Sequence, residues 1–338
     1  MARRMSIPIV RTATTCAVLL ATALAAAGIG ASTDARDAGA APRAEWALQH
    51  PATSPPGTSE GAMAFDVALD KTVLFGGSPG TGASTWGWNG TNWKVLTTKG
   101  PTVRKDMQMA YDAATRSIVL FGGFGSTGHG YSDTWTFDGA WHKQAPINVP
   151  TTVIGYAMAY DAADHTVVMA GGERTSATGK TWVWDGSDWH GNPSVPYPST
   201  ASGLTDPTMA YDPVLGKIVL FGGITGVVNQ NTTWEWDGST WADVATVTTP
   251  GARRAAASVY DAALGGVVMV GGFGGVVKGT KLLGGAWLFE GSTWTKLRTG
   301  PTRPSPRAFA QIGLDPSGRV LLFGGLTDAG AARDSWLL

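Results

Sequence analysis

Apolar and polar positions along this chain repeat with a period of about fifty residues. Each period holds an alternating segment that ends in Asp, a short turn, an apolar run closed by two glycines, a variable loop and a Trp-rich segment. In the third period these are residues 157–161, 166–170 and 182–189. The glycine pairs begin at Gly76, Gly122, Gly171, Gly222, Gly271 and Gly324. Their spacings of 46, 49, 51, 49 and 53 residues predict one four-stranded sheet per repeat and exclude the shorter helical solenoid repeats.

The turn signals favour two hairpins in every repeat. Asp161 to His165 forms the first turn of the third repeat, and Asp185 to Asp188 forms the second. The double glycines are expected where a strand end needs an unusual φ or where another backbone approaches closely. A phosphate-binding loop would need a following helix and a Lys-Ser/Thr pair, and the sequence has neither. The glycines therefore predict an all-β fold, a six-bladed β-propeller.

All 15 tryptophans occupy repeat positions, which favours a structural role over a sugar-stacking platform. Six are expected in third strands, three stand two residues further on, and six are expected in fourth strands. They are, in that order, Trp86, Trp135, Trp182, Trp234, Trp287 and Trp336; Trp88, Trp184 and Trp236; and Trp46, Trp93, Trp141, Trp189, Trp241 and Trp294. Large aromatic rings bury well between blades, so we expect the third-strand set to lie in the core.

The repeats resemble kelch repeats. The resemblance rests on the glycine pairs, on Tyr-Asp at the end of the first strand (Tyr111-Asp112, Tyr160-Asp161, Tyr211-Asp212, Tyr260-Asp261) and on the Trp after the glycines. It covers residues 44 to 338 and is closest to secreted bacterial kelch-repeat proteins, whose Trp-x-Trp-Asp-Gly-x-x-Trp segment matches 182–189 and 234–241. It implies a kelch-type propeller like the central domain of galactose oxidase. It says little about function, because one propeller fold hosts many activities.

The two ends of the repeat region predict how such a propeller closes. The sixth repeat stops after its third strand at Trp336, whereas the segment around Trp46 looks like a fourth strand without its own repeat. We expect the two segments to pair and to close the last blade, which removes an open sheet edge.

The first thirty or so residues have the pattern of a secretory signal. Arg3, Arg4 and Arg11 precede a small-residue apolar stretch, 17–31, which is shorter and less hydrophobic than a membrane-spanning helix. A retained anchor is the alternative. We divide the chain into a signal peptide, 1–31, a flexible linker, 32–43, and a single propeller, 44–338, and we expect a secreted or envelope-associated protein.

The only cysteine, Cys16, lies in the signal, so the remaining chain offers no disulfide or thiolate chemistry.

Positive charge is concentrated on one predicted face of the propeller. The linkers into the first strands and the loops between second and third strands should share this long-loop face, and together they carry 13 Lys/Arg against 7 Asp/Glu. The full chain carries 25 of each, and removing the three signal arginines leaves it slightly acidic. Such segregation favours an anionic carbohydrate or protein partner, although loops also simply tolerate Lys and Arg. Nucleic acid is not expected as a partner, and we expect a monomer.

Candidate binding residues lie where the linkers reach the first strands, at the expected mouth of the central channel. They combine arginines with carboxylates, as a pocket for a sugar or a small acid would. The set is Glu60, Arg104, Asp106, Glu173, Arg174, Asp206, Arg253, Arg254 and Arg307. The alternative is structural: these side chains tie neighbouring blades together.

No cofactor, metal site or catalytic residue is predicted. The kelch-type copper oxidases need a Tyr–Cys thioether, which this chain cannot form after signal removal, and the five histidines do not cluster in sequence. No nucleophile motif is present. The expected function is therefore a binding or interaction module that uses the long-loop face. The alternative is a sugar mutarotase or epimerase with Glu60, Asp106 or Glu173 as its acid–base group.

Overall fold

The apolar runs form the second strands of repeated four-stranded antiparallel sheets. The computed structural model describes residues 42–151, 154–172, 181–192, 203–275 and 280–338. Six such sheets lie within these residues, numbered one to six in chain order. Their strands are Ala62–Asp66, Lys71–Phe75, Thr85–Trp88 and Trp93–Thr97 (sheet one); Gln108–Asp112, Ser117–Phe121, Thr134–Phe137 and Trp141–Lys143 (two); Tyr156–Asp161, Thr166–Gly171, Thr181–Trp184 and Trp189–Asn192 (three); Thr208–Asp212, Lys217–Phe221, Thr233–Trp236 and Trp241–Asp243 (four); Ala257–Asp261, Gly266–Val270, Ala286–Glu290 and Thr293–Lys296 (five); and Gln311–Leu314, Val320–Phe323, Ser335–Leu337 and Ala47–Gln49 (six).

Short strands pair outside these sheets. They are Arg43–Ala44 with Arg298–Thr299, in parallel; Ile224–Thr225 with both Leu204–Thr205 and Val228–Asn229; Phe273–Gly274 with Lys281–Leu282; and Leu326–Thr327 with Gly330–Ala331. No helix occurs in the described ranges, so the predicted all-β class is confirmed. These ranges hold no helix long and apolar enough to cross a membrane.

The first strands of neighbouring sheets contact one another in a closed cycle, from sheet one through sheet six and back to sheet one. Sheet six joins the two ends of the described chain, because Ala47–Gln49 pairs antiparallel with Ser335–Leu337. The expected pairing of the N-terminal segment with the last third strand is therefore found. The arrangement is consistent with a β-propeller.

The double glycines bring neighbouring sheets into hydrogen-bonding distance. Gly76 and Gly77 both have positive φ, and a Cβ on Gly76 would lie 2.5 Å from the carbonyl oxygen of Arg104 in the next linker. The N–H of Gly77 donates to that same oxygen at 2.9 Å. Gly172, Gly223, Gly272 and Gly325 donate in the same way to the linker that follows. Close backbone approach, as the sequence indicated, is the reason for these glycines.

The core differs from the expectation for tryptophan. The expected set of buried third-strand rings is only partly buried, except for Trp336, while the rings two residues later and those in the fourth strands, apart from the partly buried Trp141, are nearly inaccessible. Trp88 and Trp93, for example, are both 0% exposed. The physical reason is position: Trp135 stands next to the long loop, where its indole N–H donates to the partly exposed Asp133 at 2.8 Å.

Fourth-strand tryptophans also join one sheet to the next through hydrogen bonds. Their indole N–H groups donate to a buried hydroxyl at the start of the preceding sheet's third strand, at 2.8 to 3.0 Å. The pairs are Trp93 with Ser335, Trp141 with Thr85, Trp189 with Thr134, Trp241 with Thr181, and Trp294 with Thr233. These contacts fix how adjacent sheets pack and so hold the linkers at the centre of the cycle.

Candidate functional site

Six linker residues just before the first strands form a ring around the centre of the cycle of sheets. All six have positive φ, between 52° and 65°. They are Glu60, Asp106, Gly155, Asp206, Ala255 and Phe309, and we call them the inner ring. Positive φ is uncommon outside glycine and often marks functional positions, where the surrounding structure enforces it.

Backbone hydrogen bonds run from five of the six members of the inner ring, all but Gly155, to the preceding member. The N–H of Asp106 donates to the carbonyl of Glu60 at 2.9 Å, that of Ala255 to Asp206 at 2.8 Å, and that of Phe309 to Ala255 at 2.9 Å. Asp206 donates to Gly155, and Glu60 donates to Phe309, which carries the chain of bonds from sheet six back to sheet one. The left-handed backbone is thus held by contacts between sheets, and the side chains of the ring come from different sheets.

Two of the three ring carboxylates have a cation from the sheet that follows. Lys105 Nζ lies 2.8 Å from Glu60 Oε2, and Arg254 Nη1 lies 3.3 Å from Asp206 Oδ2. The hydrogen bond to Glu60 raises the pKa of Lys105. Both cations occupy the same position, one residue before their own ring residue. In both cases, therefore, the residue directly before an inner-ring residue faces the carboxylate of the inner-ring residue from the previous sheet.

Asp106 is the ring carboxylate to which this arrangement supplies no cation. The residue before the next ring position is Ile154, which is apolar and half-buried. Within the described ranges no Lys, Arg or His nitrogen lies within ion-pair distance of Asp106, although every other ring carboxylate has one. Burial, with a further contribution from the negative charge of Glu60, raises the pKa of Asp106 to about 7. This carboxyl group therefore gains and loses its proton near neutral pH.

Asp106 lies in an open cleft of about 540 Å³ on the long-loop face. The cleft is bounded by the loop after the first glycine pair, by the linkers into sheets two and three, and by the loop after the second glycine pair. Its lining includes Pro79, Lys105, Phe124, Ser126 and Ile154. A volume of this order is typical of small-molecule sites, as are a few charged groups beside apolar walls.

The arginines predicted at the channel mouth divide into two groups. Arg254 belongs to the inner ring contacts described above, whereas Arg104 and Arg307 are buried and form two-point ion pairs inside their own sheets. Both Nη atoms of Arg307 lie 2.8 Å from the carboxylate oxygens of Asp334. Arg104 makes the same contact with Asp133, at 2.5 and 3.2 Å. These two guanidinium groups are used within the fold, but their side-chain contacts lie inside one sheet each and do not tie neighbouring blades together as the structural alternative expected.

Arg253 has the same place in its sheet but is not paired with a carboxylate among the described residues. Glu173 and Arg174, the remaining predicted site residues, lie outside the described residues. His142 and His190 are exposed and lie beside Asp138 and Asp185. Among the residues that the structure describes, no three His, Cys, Asp or Glu side chains come together as a metal site would require.

Comparison with known proteins bears on the fold. No family model matches the sequence, and no curated protein matches it. Solved structures do: the one titled "Structure of YjhT", a kelch-type propeller-like fold, superimposes with a TM-score of 0.64 over 84% of this chain and 96% of that chain, at 16% identity. At this identity the likeness shows the fold alone. The β-propeller architecture therefore stands on both the sheet arrangement and this similarity.

Sequence reasoning placed Glu60, Asp106 and Asp206 at equivalent positions but missed Lys105 and Ile154. A signal for them existed. Lys105 and Arg254 each stand directly before a ring position, and each follows a buried arginine in the sequence. A comparison of the residues directly before the ring positions that follow Glu60, Asp206 and Asp106 would have shown a cation in the first two cases and an isoleucine in the last.

Proposed function

We propose that this chain is a secreted six-bladed kelch-type propeller that acts as a binding module through its inner ring. The six sheets, their cyclic contacts and the closing N-terminal strand support the blade number. The repeated glycine pairs, Tyr-Asp pairs and tryptophans support the kelch assignment. The apolar stretch after Arg11 supports export.

The observation that carries the proposed function is Asp106, the ring carboxylate with an apolar neighbour where the other two have a cation. Asp106 is partly buried, and a carboxyl that is desolvated without a partner is costly to the fold, so clefts that hold such groups are favoured positions for ligands. A ligand hydroxyl would donate to Asp106, and Lys105 and Glu60 would supply one donor and one acceptor beside it. This combination suits a polar, hydroxyl-rich ligand, and we propose a carbohydrate.

Thermal-shift measurements with a panel of neutral and acidic sugars test this proposal. A sugar present at a concentration 100 times its dissociation constant stabilises the folded state by about 2.7 kcal/mol. We expect the Tm increase to be lost in Asp106→Asn and retained in Asp138→Asn, a matched change at an exposed position. A sugar-induced shift that is equal in both variants would place the site elsewhere, and no shift with any sugar would contradict the carbohydrate proposal.

A second candidate is a sugar mutarotase or epimerase, and the pKa of Asp106 favours it. A general acid–base group works best when its pKa lies near the working pH, and the pKa of Asp106 is raised to about 7. Exchange between anomers, followed by NMR on any sugar found to bind, distinguishes the candidates. Catalysis predicts faster exchange with the native protein than with Asp106→Asn, whereas a binding module leaves the exchange rate at that of free sugar.

A further inference from the structure

Sheets two, five and six place an arginine at the same point, and its backbone contacts are the same in all three. Nε donates to the carbonyl two residues earlier at 3.0 to 3.1 Å, and Nη1 donates to the carbonyl of the first glycine of the pair at 2.7 to 3.0 Å. The arginines are Arg104, Arg253 and Arg307, which are 2%, 4% and 1% exposed. The three guanidinium groups are therefore held in equivalent places.

In sheets two and six the remaining N–H groups meet a carboxylate and a hydroxyl. Asp334 accepts from both Nη atoms of Arg307 and from the indole N–H of Trp336, at 2.6 to 2.8 Å. Ser305 Oγ accepts from Nη2 at 3.2 Å. Asp133, Trp135 and Thr102 have the same roles in sheet two.

Sheet five has glycine at both of these acceptor positions. Gly285 stands where the other sheets have Asp, directly two residues before Trp287, and Gly251 stands where they have a hydroxyl. No carboxylate lies within ion-pair distance of Arg253 among the described residues, and the indole N–H of Trp287 has no hydrogen-bond partner there either. An arginine that is this deeply buried ordinarily has a partner for its charge, because desolvating the cation is unfavourable.

The surroundings of Gly285 are cationic and open to solvent. Among the described residues, a Cβ on Gly285 would have only Lys296 Cε within 4 Å, at 3.8 Å, so these residues leave the space beside it open. Lys296 is equivalent to Lys143, whose charge acts on Asp133 in sheet two. The equivalent carboxylates are 18% and 28% exposed, so this position can be reached from solvent. Burial alone lowers the pKa of Arg253 to about 10.

We propose that Arg253, Trp287 and Lys296 form a second binding site, for the carboxylate of a small organic acid. The carboxylate would take the place that Asp133 and Asp334 have in their sheets, with both of its oxygens on the guanidinium and one of them also accepting from the indole N–H. This geometry favours a planar carboxylate over a spherical anion, because a guanidinium binds the two oxygens side by side. The site is separate from the inner ring and does not depend on the proposed carbohydrate function.

The test measures Tm of the native protein against sodium acetate, with sodium chloride keeping the ionic strength constant. We expect a saturable rise in Tm of roughly 2 to 4 °C with acetate and none with chloride alone. Sodium glucuronate serves as a second arm: a rise with both acids indicates a site open to sugar acids, and a rise with acetate alone restricts the site to small acids. No rise with either acid overturns the proposal.

Two matched variants make the test specific. Gly285→Asp supplies the carboxylate within the chain, and Gly285→Asn has the same size and the same backbone cost at the positive φ of 84° without the charge. We expect the acetate effect to disappear in Gly285→Asp and to persist in Gly285→Asn. Asp133→Ala should create a second acetate response, in sheet two. An acetate effect that survives unchanged in Gly285→Asp would overturn the proposal.

Discussion

Two neighbouring positions in the same linker have opposite surroundings. Arg104 is buried and held at two points by Asp133, whereas Lys105 and Asp106 lie at the inner ring beside an open cleft. The same change occurs between Arg307 and Phe309 and between Arg253 and Ala255. One linker thus contributes both to the rigid frame and to the candidate site, and its backbone turns to positive φ at the inner-ring residue itself. Ion pairs in the frame should stabilise the fold, and those in the ring should tune a ligand site.

The largest expected effect comes from breaking one of the buried ion pairs of the rigid frame, which are Arg104–Asp133 and Arg307–Asp334. Asp334→Ala leaves the buried guanidinium of Arg307 without its carboxylate and should lower the free energy of unfolding by about 3 to 5 kcal/mol. Urea unfolding followed by Trp fluorescence measures it. Lys105→Ala, which breaks a ring pair, is the matched control. Equal losses in the two variants would show that the frame and the ring do not differ as the burial of their charges suggests.

The second effect concerns pH. Asp106 has a folded-state pKa of about 7 against an ordinary value of 3.8, so between these values the folded protein keeps a proton that the unfolded chain has released. Stability from this group is therefore fully present at low pH and falls as pH rises towards about 7. Asp106→Asn removes this dependence and should be more stable than the native protein at pH 8, by on the order of a few kcal/mol.

The pH measurement is the difference in free energy of unfolding between the two proteins at several pH values. Taking the difference cancels the other titrating groups, among them the buried turn carboxyls Asp66, Asp161 and Asp212, whose pKa values burial also raises. A difference that does not change between about pH 4 and pH 8 would mean that Asp106 titrates normally.

A smaller effect is expected at the contacts between sheets. Ser335→Ala removes the hydroxyl that accepts the indole N–H of Trp93 and leaves that buried donor unpaired, at a cost of about 1 to 3 kcal/mol. Sheet five offers an internal comparison, because it has Ala286 at the equivalent position. Ala286→Thr is the reciprocal variant and should add a partner for Trp46. If Ser335→Ala leaves Tm unchanged, these hydrogen bonds do not contribute to how the sheets pack.

The sequence predicted the frame better than the site, and the reason is physical. Glycine pairs, Tyr-Asp pairs and tryptophans recur at every sheet because each sheet solves the same packing problem, so the strands and the closing segment could be read from spacing. The direction of a side chain next to a residue of positive φ has no such signal. Arg104 and Lys105 are adjacent and chemically alike, yet only one faces the ring. The partner of Arg104 could have been found, since Asp133 and Asp334 occur only in repeats that carry the arginine.

The smallest change in stability is expected for Lys105→Ala, and it sharpens the comparison most. Its ion pair with Glu60 is partly exposed, with 42% and 20% of the two side chains accessible, so the free energy of unfolding should fall by no more than about 1 kcal/mol. The positive charge of Lys105 also lowers the pKa of Asp106, so its removal should raise that pKa further. An NMR titration of the Asp106 carboxyl measures the shift. Lys105→Arg keeps the charge and should leave the titration midpoint in place.

Because Arg104 precedes Lys105 directly, a small stability change together with a higher Asp106 pKa would separate the ring from the frame at a resolution of one residue. A loss as large as that of Asp334→Ala would make Lys105 part of the frame and remove the basis for treating the ring as an independent ligand site.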